Sequence, residues 1–246
     1  MGRATRKTDD ENSLFIREQD CEKHGPYLQF VTSSWGGPRC PACQYGVGGA
    51  HFLPRFGSFD ASLNARQAEA LAAAGVPPRF LDCRFRNFFP REATQRTALH
   101  AFEAYSANFG IALADCKNLI VVGGTGTGKT HLGVATLAQV AQRGCSIWYA
   151  DARKRGAMRP PKTMPDLTLI DNVGQTPESL RAIQNLVMDR YDAAKPTIVL
   201  GAVSREALRG LLGELCLDRL REGGSKILQF GWNSYRPNKQ VVKSNV

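Results

Sequence analysis

The chain has 246 residues, of which 43% are hydrophobic, so it has room for one ordinary domain and a small accessory one. It lacks the roughly 18 uninterrupted apolar residues of a membrane span, and residues 1–11 are too charged for a signal-peptide core. We therefore expect a cytoplasmic protein with no membrane partner, whose seven cysteines are thiols or metal ligands. The net charge of +10 favours nucleic acid as a partner; the alternative is a basic protein without one.

The first third of the chain contains a candidate zinc site. Residues 1–20 are predicted to form a polar, flexible leader, and residues 21–60 a small accessory domain with a hairpin arm at 26–31. Two paired spacings, C-x2-H and C-x2-C, supply the ligands Cys21, His24, Cys40 and Cys43. Four such ligands predict a tetrahedral, structural Zn²⁺ site. The alternative is a set of unrelated buried thiols and a surface histidine.

Residues 61–90 are predicted to form a helical linker and a lead-in segment. Its helix begins near Ser62 and stops at Gly75, before two prolines. A larger domain is predicted over residues 91–240, and it begins with a helix of about residues 95–108 that Thr94 is expected to cap.

A glycine-rich stretch follows the apolar run at 119–122 and precedes a helical pattern. Its residues match GxxxxGK[ST]: Gly123, Gly124, Thr125, Gly126, Thr127, Gly128, Lys129 and Thr130. Backbone N–H groups of such a loop cradle phosphates, the lysine reaches the β- and γ-phosphates, and the threonine hydroxyl binds Mg²⁺. We predict an ATP and Mg²⁺ site; the alternative is a glycine-rich turn that matches by chance.

Strands and helices alternate beyond this loop. The predicted strands are 146–150, 167–171, 197–200 and about 226–230, and the predicted helices between them are 178–192 and 205–212. This order predicts an α/β fold in which helices cover both faces of a parallel sheet. Asp171 ends its strand at the edge where ligands bind, so we expect it to reach the Mg²⁺.

These motifs together resemble the DnaC helicase-loader branch of the AAA+ ATPases. The matching features are the paired zinc spacings, the lead-in at 75–80 and 85–88, the phosphate loop, the strand that ends at Asp171, and the segments 212–221 and 232–236. The resemblance implies an AAA+ P-loop fold and a protein that uses ATP to load a replicative, DnaB-type helicase onto single-stranded DNA.

The resemblance also implies roles for single residues. Arg219 would be an arginine finger that enters a neighbouring subunit's nucleotide site, and Arg236 a sensor of the γ-phosphate in its own subunit. A finger of this kind requires a homo-oligomer, in this family a ring or spiral. The N-terminal domain would grip the helicase. The DNA-contacting residues would lie between the second and third strands: Arg153, Lys154, Arg155, Arg159 and Lys162. The alternative for them is a solvated basic loop.

Two positions depart from the family pattern. Asn172 follows the magnesium aspartate where a glutamate is usual, and it cannot accept a proton from the attacking water. The stretch 201–204 lacks the usual sensor asparagine, and only Ser204 in it could substitute. We therefore expect ATP to be bound well and hydrolysed slowly. The other functions considered are an IstB-type transposition helper ATPase and a nucleotide-dependent DNA-binding adaptor.

Overall fold

The computed structural model describes residues 15–21, 25–31, 61–154, 156–174 and 179–235. The chain divides into two compact units, Met1–Arg55 and Phe56–Val246. Within these described ranges, the helices are all too short or too polar to cross a bilayer.

The described part of the first unit is a β-hairpin. Strand β1 (Phe15–Cys21) pairs antiparallel with strand β2 (Gly25–Val31), with Phe15 opposite Val31 and Cys21 opposite Gly25. β2 corresponds to the predicted hairpin arm, whereas residues 15–20 of β1 lie within the segment predicted as a flexible leader. Composition suggested a leader because β1 is polar; its order comes from backbone hydrogen bonds to β2, which composition does not report.

The second unit contains a parallel five-stranded sheet of order β4-β5-β6-β3-β7. Its strands are β3 (Leu119–Gly123), β4 (Ile147–Asp151), β5 (Leu167–Val173), β6 (Thr197–Gly201) and β7 (Lys226–Phe230). Its helices are α1 (Ala61–Ala73), α2 (Ala93–Ala107), α3 (Phe109–Ala114), α4 (Lys129–Gln142), α5 (Leu180–Asp192) and α6 (Arg205–Arg221). The predicted helix-flanked parallel sheet is confirmed.

Apolar side chains on both faces of the sheet hold the helices. On one face, Ile120 and Ile170 pack with side chains of α5 and α6 that include Ile183 and Leu212. On the other face α4 approaches the sheet so closely that a Cβ at Gly133 would lie 2.5 Å from a methyl of Leu169. Burial on both faces explains why the strands are nearly continuous apolar runs.

The segment at 61–90 packs against the sheet domain. Leu71 on α1 is fully buried, and the Gln67 side chain donates to Gln142 Oε1 of α4 over 3.0 Å. The carbonyl of Ala74 accepts a hydrogen bond from the N–H of Tyr149 on β4 (2.9 Å). The predicted linker is therefore part of the unit that contains the phosphate loop.

Two helix ends differ from expectation. Thr94 lies inside α2, and the cap is Glu92, whose backbone N–H donates to Gln95 Oε1 over 3.2 Å. Helix α6 was expected to stop at 212, but it continues to Arg221 through a kink at Gly213, where φ is +76°. Glycine adopts this backbone angle without strain, so the chain resumes a helical course beyond it.

Candidate functional site

The glycine-rich loop connects β3 to α4 at the carboxyl edge of the sheet. Gly128 has φ of +93°, and a Cβ there would lie 2.6 Å from Cε2 of Phe88. Lys129 begins α4, and its ammonium donates to the carbonyls of Gly123 (2.8 Å) and Gly124 (2.6 Å). The positive charge and the helix N-terminus therefore lie on the inside of the loop, where phosphate oxygens bind in such loops.

The segment after β7 supports this loop from behind. Trp232 Nε1 donates to the carbonyl of Thr127 over 3.0 Å, and the N–H of Tyr235 donates to the carbonyl of Gly126 over 2.9 Å. The Tyr235 ring meets the ring of Phe88 edge-on, with centroids 5.5 Å apart. The lead-in and the C-terminal motif, distant in sequence, thus clamp the same loop.

A hydroxyl and a carboxylate meet beside the loop. Thr130 Oγ1 donates to Asp171 Oδ2 over 2.9 Å, and the Tyr149 hydroxyl donates to the same oxygen over 2.8 Å. Burial raises the pKa of Asp171, and the hydrogen bonds from Tyr149, Thr130 and the N–H of Asn172 counteract part of that effect. Threonine and aspartate oxygens are hard ligands, so the pair fits Mg²⁺.

Asn172 donates hydrogen bonds to two carboxylates, from its N–H to Asp171 and from its side chain to Asp151. It has φ of +62° and lies at an irregularity in the pairing of β5 with β6. Its Nδ2 donates to Asp151 Oδ1 over 2.9 Å, and Arg153 contacts both oxygens of Asp151, at 2.9 and 2.6 Å. Burial opposes ionisation of Asp151, but the hydrogen bonds from Arg153 and Asn172 outweigh it and lower its pKa.

The side chain of Ser204 caps the beginning of helix α6. Its Oγ accepts a hydrogen bond from the N–H of Ala207 over 3.1 Å, which makes it the N-cap of α6, and its side chain is exposed. The neighbouring carbonyl of Val203 accepts from the N–H of Gly123 over 3.2 Å. The stretch that was expected to carry a sensor side chain therefore contacts the loop through its backbone.

Arg219 lies at the opposite edge of the sheet from the phosphate loop, where the amino ends of the strands are. It lines a cavity with Asn118 and Thr197, which stand at the starts of β3 and β6, whereas the phosphate loop follows the end of β3. A five-residue strand spans about 16 Å. Arg219 places its guanidinium 4.6 Å from the centre of the Tyr191 ring and 3.6 Å from Glu222 Oε2. It is therefore directed away from the phosphate site of its own chain.

The predicted DNA-contacting segment forms turns between β4 and β5. Lys154, Arg159 and Lys162 are exposed, and Arg153 is exposed while it pairs with Asp151. Buried Met158 ties the segment to the core.

Several predicted site residues lie outside the described ranges. They are Arg155, Arg236, and the zinc-ligand candidates His24, Cys40 and Cys43, together with the side chain of Cys21. Within the ranges that are described, groups of three or more metal-ligating side chains are not found. For Arg236 the preceding residue, Tyr235, is held against the phosphate loop.

Sequence reasoning missed Tyr149, Asp151, Phe88 and Trp232 as parts of the site. Tyr149 and Asp151 belong to β4, which is hydrogen-bonded in register to β5, so that Asp151 lies beside Asp171. An acid at the carboxyl end of a predicted strand was a usable signal for Asp151, because parallel strands end at one edge. Taken together, the described residues can hold a magnesium-bound phosphate chain.

Comparisons with known proteins give consistent relatives. The family model described as IstB-like ATP binding protein matches residues 102–156. The replicative helicase loader DnaC of Buchnera aphidicola subsp. Acyrthosiphon pisum (strain APS) is 30% identical over 199 residues, which cover 73% of this chain and 78% of that protein. The replicative helicase loader DnaC of Escherichia coli (strain K12) is 32% identical over 181 residues, 66% and 73% of the two chains.

A solved structure shares the fold. The crystal structure of the DnaC helicase loader superposes with a TM-score of 0.53 at 22% identity, over 63% of this chain and 99% of that one. At this identity the likeness concerns the fold alone, and it agrees with the helix-flanked parallel sheet.

Proposed function

The chain belongs to the DnaC family of replicative helicase loaders, and on this premise we propose that it loads a replicative helicase onto single-stranded DNA in a nucleotide-dependent way. The observation that carries the proposal is the relationship itself, which extends over 78% of one loader. The IstB-like model, by contrast, matches only residues 102–156, a part that a transposition helper would share. The work would take place in the cytoplasm, where the helicase and its DNA are found.

To load a helicase in this way the chain would bind ATP at the phosphate loop, with the residues that an ATPase uses to hold the phosphates and Mg²⁺. Lys129 would hold the β- and γ-phosphates, while Thr130 and Asp171 would hold Mg²⁺. The 2.9 Å contact between Thr130 and Asp171 supports this, because a shared metal needs both oxygens on one side of the loop. When bound, Mg²⁺ would neutralise charge on the phosphates.

Hydrolysis is proposed to be slow. Asn172 offers an amide instead of a carboxylate, and the amide is committed to Asp151 over 2.9 Å. Loss of a general base lowers a rate by roughly 10²–10⁴-fold. Nucleotide binding, more than turnover, would then control assembly and the grip on DNA.

Assembly is proposed to place Arg219 in a neighbour's nucleotide site. Arg219 lies beside the start of β3 and its own phosphate loop follows the end of that strand, which is about 16 Å long, so a phosphate contact requires a second copy. A contact between opposite edges of identical chains is head-to-tail and builds a ring or a spiral. Arg236 would contact the γ-phosphate in its own chain.

DNA is proposed to bind along the loop between β4 and β5. Its exposed cations Lys154, Arg159 and Lys162 are suited to sequence-independent phosphate contacts. Arg153 and Arg155 would join them. Because Arg153 pairs with Asp151, which Asn172 contacts in turn, the loop has a hydrogen-bonded path to Asp171.

The N-terminal unit is proposed to bind Zn²⁺ through Cys21, His24, Cys40 and Cys43 and to grip the helicase. The spacing of the four residues supports this proposal. Metal analysis of the purified full chain should give one zinc per chain, and Cys40→Ser should lower it. Less than one zinc in the unaltered protein contradicts the site.

A pull-down tests the proposed function directly. The tagged full chain with Mg²⁺ and ATP should retain a purified DnaB-type helicase. Addition of the chain should also speed unwinding, by that helicase, of DNA coated with single-strand-binding protein. Lys129→Ala should lose the stimulation. Capture of a transposase and not of the helicase would favour the IstB-type alternative. Binding without any stimulation would favour the adaptor.

A further inference from the structure

Two large hydrophobic side chains are exposed in the part of the chain that the structure describes, Phe89 (73%) and Leu215 (62%). Phe89 stands beside the phosphate loop. Its neighbour Phe88 is buried against Gly128. The carbonyl of Phe89 itself accepts a hydrogen bond from the hydroxyl of Tyr235 over 3.4 Å. The backbone of Phe89 is therefore fixed to the loop's support while its ring projects outward.

Two arginines lie close to Phe89 in sequence. Arg86 and Arg91 are exposed on either side of Phe89 in sequence, and the guanidinium of Arg91 lies 5.6 Å from the centre of the Tyr235 ring. The nucleotide edge of the sheet thus presents the exposed Phe89 ring, an apolar knob, on the segment 86–92, whose exposed charges are Arg86, Arg91 and Glu92 and sum to +1. Such a knob matches a cavity with an apolar floor and acidic walls.

The opposite edge has a cavity of this kind. It encloses about 510 Å³ beside Arg219, enough to admit an aromatic ring. Its apolar lining comes from Val187, Leu220 and the ring of Tyr191. Its acidic groups are Asp115, which pairs with Lys117 over 3.0 Å, Glu222, which lies 3.6 Å from Arg219, and Asp192. The two cations in the lining are Arg219 and Lys195, and the latter is paired with Asp166 over 2.8 Å.

We propose that Phe89 of one copy inserts into the cavity beside Arg219 of the next copy. The occupant is a second copy of this chain because knob and cavity lie at opposite edges of one sheet and carry complementary charge. The insertion would bring the first copy's phosphate loop, to which Phe89 is tied, up to the second copy's Arg219. This inference rests on the proposed role of Arg219 and adds the contact that positions it.

Sedimentation velocity of the full chain with Mg²⁺ and a non-hydrolysable ATP analogue tests the proposal. Phe89→Ser should weaken assembly by roughly tenfold or more, because anchors buried at an interface dominate its affinity. Leu215→Ser is the matched control, since Leu215 is similarly exposed but does not line the cavity. At protein concentrations too low for assembly, both variants should bind the analogue as the unaltered chain does, as measured by calorimetry.

The outcomes distinguish a failure of the Phe89 contact from a failure of the proposed role of Arg219. If the unaltered chain stays monomeric with the analogue, the proposed trans role of Arg219 fails and the inference fails with it. If the chain assembles and Phe89→Ser assembles equally well, the inference alone is overturned. Loss of assembly in Leu215→Ser with normal assembly of Phe89→Ser would place the interface elsewhere and also overturn it.

A cross-link gives a second measurement. Cys116 lines the cavity, so Phe89→Cys should be joined to Cys116 of another copy by a short bismaleimide in the presence of the analogue, at a protein concentration raised until sedimentation shows that this weakened variant assembles. Peptide mass spectrometry identifies the joined residues among the native cysteines. Leu215→Cys, and Phe89→Cys combined with Cys116→Ser, should not give this product. Absence of the joined peptide from an assembled Phe89→Cys sample would overturn the proposal.

Discussion

Replacing Tyr149 with phenylalanine removes one hydroxyl that donates to Asp171 Oδ2 over 2.8 Å and leaves the buried ring in place. A hydrogen bond to a charged group contributes about 1.5–3 kcal/mol. Asp171 keeps its bonds from Thr130 and from the N–H of Asn172, so it is not left without donors. We expect the free energy of unfolding at neutral pH to fall by about 2 kcal/mol.

The sign of the pH dependence follows from the raised pKa of Asp171. Because burial raises this pKa in the folded chain, ionisation of Asp171 costs folding free energy as the pH rises through it, and the Tyr149 bond offsets part of that cost. Tyr149→Phe raises the pKa further. The difference between variant and unaltered chain should therefore be largest at neutral pH and should shrink to about 1 kcal/mol in acid, where the carboxyl is neutral.

Urea unfolding at neutral pH and at the lowest pH that keeps the chain folded measures this difference. Tyr105→Phe is the control, because the buried Tyr105 hydroxyl donates to the neutral carbonyl of Lys117 over 2.8 Å. It should lose about 1 kcal/mol at both pH values. Only Tyr149→Phe should weaken Mg²⁺-dependent nucleotide binding, by roughly 10-fold or more. Equal losses at both pH values for Tyr149→Phe would refute the reasoning.

Three further substitutions test the loop, the core and the chemistry. Gly128→Ala should abolish nucleotide binding in calorimetry, since its Cβ would lie 2.6 Å from Cε2 of Phe88, whereas Gly144→Ala, at φ of +81° in open space, should retain it. Arg190→Met should lower the unfolding free energy by about 2–6 kcal/mol, because the buried carbonyls of Pro165 and Pro196 lose their donor at a cost of about 1–3 kcal/mol each; unchanged urea midpoints would contradict this. Asn172→Glu should raise ATP turnover by roughly 10²–10⁴-fold, and a phosphate-release rate equal to that of the unaltered chain would count against the missing base as the cause.

Local patterns were sufficient for the main elements of the fold. The strand at 119–123 is an uninterrupted apolar run and the one at 167–173 is largely apolar up to Asp171, and the alternation of such strands with helices leaves few arrangements other than a parallel sheet. The glycine-rich loop was recognisable because its backbone requirement is written into consecutive residues, and Gly128 does adopt a positive φ of +93°. Both signals act over short stretches of chain.

Other features depend on which strands become neighbours. Asp151 contacts Asn172 only because β4 is placed next to β5 in register. Arg190 looks like one more charge on an amphipathic helix, yet it is fully buried where the starts of β5 and β6 meet α5. No periodicity distinguishes such an arginine from an exposed one, because its partners come from distant parts of the chain.

By itself, the sequence determined the order of strands and helices, the phosphate loop and the candidate magnesium aspartate, because each depends on neighbouring residues. Only the tertiary structure decided that Trp232 and Tyr235 hold that loop, that Tyr149 bonds to Asp171, and that Arg219 faces the opposite edge of the sheet. These relations arise when remote segments are packed around one sheet, and the physical reason is that hydrogen bonds and buried contacts depend on distance in space.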